Sequence, residues 1–320
     1  MIKQIKEKII NGEEITKEEA LTLLTTDLET LTQSAKEIKK HYCKDTFELC
    51  SIANAKSGLC TENCKFCAQS SYYNTKIEKY PLEETSELLE KARYNAERGI
   101  SRFSLVTSGR TLTKDEITQI CKIYKEINRN VKISLCASHG LLRYNDFVLL
   151  KESGVTRYHN NLETSRRYFP YICTSHTYED KIATIKDAQK AGISVCSGGI
   201  MGLGETAEDR IDLAFELKKL KVKSTPINFL MPIEGTPLEK IKPLTQEEMI
   251  RIVAIYRFIL PDNAIRLAGG RKNLTDFGKK IFETSSNATI SGDMLTTCGT
   301  SIASDTAMLC ELGYKLDKIK

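Results

Sequence analysis

Long apolar runs are missing from these 320 residues: none approaches the ~18 that a membrane span needs, and the opening MIKQIKEKII has no secretory apolar stretch. A one-sided charge is missing too. Lys and Arg number 47 against 42 Asp and Glu, a formal +5 that makes a mildly basic surface and not a nucleic-acid-binding composition, a local patch aside. No repeat, low-complexity tract or linker divides the chain, so one domain is expected. With 41% hydrophobic and 28% charged residues, the chain has the composition of a globular protein able to bury a sizeable core. These features argue against a membrane protein, a disordered chain and an exported one. They make the cytoplasm the expected compartment, with neither membrane nor nucleic acid as partner.

What is abundant is cysteine, with eleven residues. In a chain with no export signal, so many thiols point to metal ligation or redox chemistry before disulfides. The densest group is Cys60-Thr-Glu-Asn-Cys64-Lys-Phe-Cys67, three thiols spaced four and then three. Thiolates so spaced can wrap a loop around one cubic iron–sulfur cluster and leave one iron open. A structural zinc site would want a fourth protein ligand, and no paired C-x-x-C or H-x-x-x-H lies downstream to supply it.

Helix starts are marked by a threonine three residues ahead of an acid, at Thr16, Thr113, Thr206 and Thr245. Gly99 and Gly192 sit just past two other helices, where a left-handed residue is wanted. Beta-rich runs fall near 47–53, 102–107, 132–137, 156–161, 194–200, 225–230, 264–268 and 287–291. Helical stretches follow most of them, at 83–98, 114–128, 142–152, 177–191, 207–219 and 245–258. Such alternation predicts a parallel sheet, and eight strands predict an α/β fold of the TIM-type (β/α)8 barrel kind. Residues 1–40 are expected to be a helical preface, 41–300 the barrel and 301–320 a short helical tail.

The cysteine spacing, with Phe66 just before Cys67, resembles the radical S-adenosylmethionine superfamily. There the open iron chelates S-adenosylmethionine, and reduction splits the sulfonium to a 5′-deoxyadenosyl radical that abstracts hydrogen. Gly198-Gly-Ile-Met-Gly-Leu-Gly-Glu-Thr206 resembles the superfamily's glycine-rich stretch, where backbone approaches the adenine, and Ile200 within it is assigned to the cofactor. Glycines are equally good turn residues, so this stretch alone is a weak signal. The resemblance narrows to the biotin synthase family on several stretches. They are Ser57–Ser70, Tyr158-His-Asn-Asn-Leu-Glu-Thr-Ser165, Cys196–Thr206, Pro226-Ile-Asn228 and Arg266-Leu-Ala-Gly-Gly-Arg271, and they span most of the chain. The resemblance implies radical insertion of sulfur into dethiobiotin, a 4Fe-4S cluster, S-adenosylmethionine and an auxiliary iron–sulfur cluster as sulfur donor. It also implies a homodimer and an electron donor such as reduced flavodoxin or ferredoxin.

Residue by residue, the resemblance assigns Asn161 and Glu163 to the ribose of S-adenosylmethionine, with Glu163 a methylene longer than the family's Asp. It assigns Asn228 to the ureido ring of dethiobiotin, and Thr296 and Thr297 to the substrate carboxylate. Plainer readings stand beside these: strand-end capping for Asn161 and Glu163, a backbone-satisfied amide for Asn228, and turn residues for the threonines. His159 replaces an Asn at a substrate-side position, and no role is assigned to it.

The auxiliary site departs from the family pattern of three cysteines on the second, third and fifth strands with an arginine on the seventh. Cys136, Cys196 and Arg266 match, but Ser104 stands where the second-strand cysteine belongs, and serine is a poor soft ligand. Interior side chains of a barrel form layers contributed by alternate strands. Cys50, Cys136, Cys196 and Arg266 all lie on odd strands, so an interior layer can bring them together. An auxiliary cluster, 2Fe-2S or a 4Fe type with one iron free for exchangeable sulfide, is therefore expected on Cys50, Cys136 and Cys196 with Arg266 at the fourth corner. Cys298 is the reserve ligand, and the plainer reading of Cys50 is a small buried hydrophobe.

Cys121, on an apolar helix face, reads as core. Cys43, Cys173 and Cys310 read as free thiols, and His41, His139 and His176 form no pair at metal spacing. The charged run Lys36 to Lys44 reads as a solvated helix face. Two rival functions remain at this point: another radical S-adenosylmethionine barrel that isomerises or matures without inserting sulfur, and a non-enzymatic zinc or redox protein.

Overall fold

The computed structural model of the chain describes residues 1–292 and 299–317. Three helices come first, α1 (Ile2–Ile10), α2 (Lys17–Thr22) and α3 (Leu28–Cys43), and lead into β1 (Thr46–Lys56). The main body continues with α4 (Thr85–Glu97), β2 (Arg102–Thr107), α5 (Lys114–Asn130), β3 (Ser134–Ser138), α6 (Tyr144–Glu152) and β4 (Val155–His159). Next are α7 (Phe169–Ile172), α8 (Tyr178–Lys190), β5 (Ser194–Cys196), β6 (Gly199–Met201), α9 (Ala207–Lys219) and β7 (Ser224–Phe229). The chain ends with α10 (Gln246–Ile259), β8 (Ala264–Leu267), α11 (Lys279–Thr284), β9 (Ala288–Ile290), α12 (Ile302–Glu311) and β10 (Lys315–Leu316).

Every ladder is parallel, and β1 pairs with both β2 and β9, which closes the sheet into an eight-stave barrel of the TIM type. The expected helix starts are present: Thr16, Thr113, Thr206 and Thr245 each form a reciprocal capping box with the acid three residues on. Gly99 and Gly192 adopt φ of +81° and +75°, the left-handed turn that ends a helix at low cost. Among the described residues no helix is long and apolar enough to cross a membrane.

Three expectations need correction. The fifth stave is not one strand over 194–200 but two short ones, β5 and β6. The reason lies in its neighbour: Pro226 in the middle of β7 has no N–H to donate, so the β5–β7 ladder stops after one pair, Cys196 with Ser224. Pairing resumes at Gly199 with Ile227, and a side chain at Gly198 would sit 1.8 Å from the Pro226 carbonyl oxygen. The chain after residue 300 is helical only to Glu311, then adds β10 beside the start of β1. Lys39 does not lie on a solvated face. It is 4% exposed, and its ammonium caps α11 by donating to the carbonyls of Phe282 (2.6 Å) and Glu283 (2.8 Å).

Asp209 ties the loop after β4 to the helix after β6. It is 1% exposed and accepts hydrogen bonds from Ser165 Oγ (2.6 Å), Arg167 Nε (3.0 Å) and Thr206 Oγ1 (2.7 Å). Burial alone would raise its carboxyl, but the bonds from Ser165, Arg167 and Thr206 prevail and hold it down at about 2. A depressed folded pKa contributes stability above the unfolded value of about 3.9, and that contribution is lost as pH falls toward about 2. Asp209→Asn is therefore expected to cost on the order of 2 kcal/mol at neutral pH and to flatten the acid limb of stability below pH about 4, read by denaturant titration.

Candidate active site

The ladders determine which side chains meet inside the barrel. Cys50 on β1 is the register partner of Arg102, and Arg102 of Ser134, two residues short of Cys136. Cys136 is the partner of Arg157, and Arg157 of Ser194, two short of Cys196. Cys196 is the partner of Ser224, and Ser224 of Ala264, two short of Arg266. Arg266 is the partner of Ala288, and Ala288 of Glu48, two short of Cys50. Four steps of two residues return to the start, the stagger of eight that an eight-stranded barrel requires. Cys50, Cys136, Cys196 and Arg266 thus form one closed interior layer, buried to 7%, 4%, 7% and 2% exposure. All four line a cavity of about 420 Å³ that also reaches Cys60 and Cys67.

Beneath this ring the barrel is filled by charge. Glu48 receives Arg266 Nη2, Arg157 Nη1 (2.8 Å) and, more distantly, Arg102 Nε (3.8 Å). Burial opposes ionisation of Glu48, yet Arg266, Arg157 and Arg102 hold its carboxyl down at about 2. Three guanidiniums against one carboxylate leave a floor with an excess of positive charge. That floor acts on the thiols. Burial pushes Cys50 up to about 12 with Arg266 opposing, and raises Cys136 against the pull of Arg102 and Arg157. Cys196 is also raised by burial, but hydrogen bonding from His159, helped by Arg266 and Arg157, brings it down to about 6. Three soft donors over a cationic floor fit an anionic iron–sulfur group, whose thiolates the guanidiniums would neutralise. Ser104, the register neighbour of Cys136, has a buried Oγ without a hydrogen-bond partner among the described residues.

The cysteine loop follows β1 and is held by its own backbone. Cys60 N donates to Gln69 O (3.0 Å), Ser71 N to Cys60 O (2.8 Å) and Cys67 N to Cys64 O (3.0 Å). Gly58 and Leu59 turn the chain at φ of +74° and +53°. Cys60 and Cys67 face the cavity, while Cys64 Sγ lies 3.7 Å from Cys173 Sγ. The donor set suits a cubic cluster, with Cys64 needing a side-chain rotation to join the other two.

Opposite the loop, Asn161 and Glu163 stand against the glycine-rich stretch. Gly198 N donates to Asn161 Oδ1 (3.1 Å), Asn161 Nδ2 to Glu163 Oε2 (3.3 Å) and Ile200 N to Glu163 O (2.8 Å). Glu163 holds φ at +71°, a sparsely populated region for a non-glycine residue and one found at ligand sites. Asn161, Glu163, Ile200, His159 and Asn228 all line the cavity. The Asn228 amide is engaged by backbone, donating to Gly199 O (3.2 Å) and accepting from Gly269 N (3.0 Å), which leaves one N–H and one lone pair for a ligand. Thr296, Thr297 and Cys298 lie outside the described residues.

Several residues of this region were not singled out from the sequence: Glu48, Arg102 and Arg157 in the floor, and Glu62, Cys173 and His176 beside the cysteine loop. Cys173 and His176 correct the reading of an unpartnered thiol and an unpaired histidine. Their spacing of three residues was the available signal. Glu48 is the most exposed to test. Glu48→Ala leaves the buried Arg266 and the half-buried Arg102 and Arg157 without their shared carboxylate, an expected cost of about 2–4 kcal/mol by chemical denaturation, and a loss below about 1 kcal/mol would contradict the balance described.

Residues 55–217 match the Radical SAM superfamily, and 226–315 match the Biotin and Thiamin Synthesis associated domain. A biotin synthase of Akkermansia muciniphila is 53% identical over 309 residues, covering 97% of this chain and 96% of that one. Those of Clostridium botulinum and Brachyspira hyodysenteriae are likewise 53% identical, over 97% and 98% of this chain and 98% and 94% of theirs. The crystal structure of methylornithine synthase superposes with a TM-score of 0.86 at 18% identity, covering 98% of this chain and 97% of that one. The [FeFe]-hydrogenase maturase of Carboxydothermus hydrogenoformans gives 0.84 at 18%, over 99% and 79%. At such identity these two share the fold, whereas identity at more than half of all positions along nearly the full length carries kinship. On that ground the chain belongs to the biotin synthase family.

Proposed function

We propose that Cys60, Cys64 and Cys67 hold the 4Fe-4S cluster of this enzyme and that Cys50, Cys136 and Cys196 hold its auxiliary cluster, with Arg266 at the fourth corner. The enzyme converts dethiobiotin to biotin by inserting sulfur between two unactivated carbons. It uses S-adenosylmethionine, a 4Fe-4S cluster, an auxiliary iron–sulfur cluster and an electron donor. When bound, these groups supply a primary carbon radical for C–H bonds that no acid or base reaches, and the sulfur that replaces the hydrogens.

The chain's own residues bind, orient and exclude water. Asn161 and Glu163 present an amide and a carboxylate suited to the ribose hydroxyls of S-adenosylmethionine, and Ile200 lies on the glycine-rich wall beside them. Asn228 offers its free N–H and lone pair to the ureido ring of dethiobiotin, and Thr296 and Thr297 take the substrate carboxylate. Arg266, with Glu48 beneath it, supplies a buried positive charge at the auxiliary cluster. Cys298 stays in reserve behind Cys50 as third thiolate. Reduced flavodoxin or ferredoxin is the proposed electron donor, the homodimer the proposed assembly and the cytoplasm the proposed compartment.

The observation that supports this reading is the closed register in which three thiols and one guanidinium share a layer. Cys50→Ser is expected to lose the auxiliary share of iron and acid-labile sulfide, to keep the share held by Cys60, Cys64 and Cys67, and to release 5′-deoxyadenosine without biotin. Iron and sulfide analysis of the anaerobically reconstituted variant, with both products measured, checks it. Unchanged iron and sulfide would overturn the assignment of Cys50.

A further inference from the structure

Outside the cavity, on the far side of the cysteine loop, lies a second constellation of metal-ligating side chains. Cys64 Sγ and Cys173 Sγ are 3.7 Å apart, His176 Nε2 is 3.8 Å from Cys173 Sγ, and the ligand atoms of all three lie within 4.8 Å of one another. Tetrahedral zinc with Zn–S of about 2.3 Å and Zn–N of about 2.0–2.1 Å has edges of roughly 3.8 Å between sulfurs and roughly 3.6 Å between sulfur and nitrogen. The observed separations already approach that figure.

The histidine is held beside the thiols by a carboxylate. Its Nδ1 meets Glu62 and also lies 3.3 Å from Cys173 Sγ, against 3.8 Å for Nε2, so a turn of the ring about the Glu62 contact is what presents Nε2 to the ion, the carboxylate–histidine arrangement that stands behind metal-bound imidazoles. Glu62 is in turn fixed by Ser175 Oγ (2.7 Å) and Arg110 Nη1 (3.4 Å). The segment is docked firmly on the cysteine loop, with Asn63 Oδ1 accepting from Thr174 N and Ser175 N (3.0 Å each) and Lys65 N donating to Ile172 O (2.9 Å). Cys173 and His176 are 4% and 7% exposed.

We infer that Cys64, Cys173 and His176 form a divalent-cation site, best suited to Zn2+, that shares Cys64 with the radical cluster and therefore excludes it. Two thiols each release a proton on binding, and two thiolates with a neutral imidazole balance the dication, so the buried site is neutral. The fourth position is open to water. Zinc at this site withholds Cys64 from iron, which makes cluster installation sensitive to the free zinc level. The binding site stands on its own geometry, and only the exclusion rests on Cys64 being a cluster ligand.

The test uses the full-length chain, purified anaerobically, stripped of metal and titrated with Co2+, then with Zn2+. One equivalent of Co2+ is expected to bind with thiolate-to-cobalt charge-transfer absorption and to be displaced by Zn2+. Cys173→Ser and His176→Ala abolish that absorption, Glu62→Gln weakens binding about 10–100-fold, and Cys60→Ser and Cys67→Ser leave it intact. Circular dichroism confirms that each variant is folded. If Cys60→Ser and Cys67→Ser abolish the signal while Cys173→Ser keeps it, the ion sits on the cluster loop alone and the site is refuted, as it is by a Cys64–Cys173 disulfide. In a second arm, Zn2+ slows iron uptake during reconstitution of the unmodified chain but not of Cys173→Ser; equal slowing of both overturns the sharing. Iron uptake unaffected by Cys64→Ser would instead remove the cluster assignment and leave the cobalt result standing.

Discussion

Barrel closure dictates what can meet at the centre of this protein. Each pair of staves advances the chemically equivalent position by two residues, so a side chain on an odd stave shares its layer with particular side chains on the other odd staves. Within that rule, Cys50, Cys136, Cys196 and Arg266 share a layer. Ser104 belongs to an even strand and lies off it. The ring can be anionic because its own Arg266, with Arg102 and Arg157 beneath, sets three guanidiniums against the single Glu48 carboxylate. Burial costs a lone thiolate dearly, and the floor offsets that cost from below.

Much of the frame was legible in the chain. Threonine–acid pairs marked four helix starts because the orphan N–H groups of a first turn can be satisfied locally. Eight beta-rich runs between helices signalled the barrel, and alternation along odd strands placed the four ring residues on one layer. These are short-range or periodic properties, and sequence carries them well.

What escaped were effects of distant neighbours. The break in the fifth stave is caused by Pro226 on the next stave, and nothing in 194–200 announces it. Lys39 looks like one more charge on a helix face until α11 lays its last carbonyls over it, more than two hundred residues downstream. Glu48 and Arg266 are separated by 218 residues, so their pairing left no local pattern. Cys173 and His176 are close in sequence, but the thiol that completes their cluster is 109 residues earlier. The cysteine loop thus has two faces, one toward the cavity and one toward this second cluster, and Cys64 lies at the boundary.

Anomalous iron scattering from crystals of the anaerobically reconstituted enzyme locates its metal without recourse to activity. The account predicts two separate iron centres, one at Cys60, Cys64 and Cys67 and another inside the barrel within bonding distance of Cys50, Cys136 and Cys196. A second centre bound without Cys50, or a barrel interior with no iron while the loop centre is full, would contradict it.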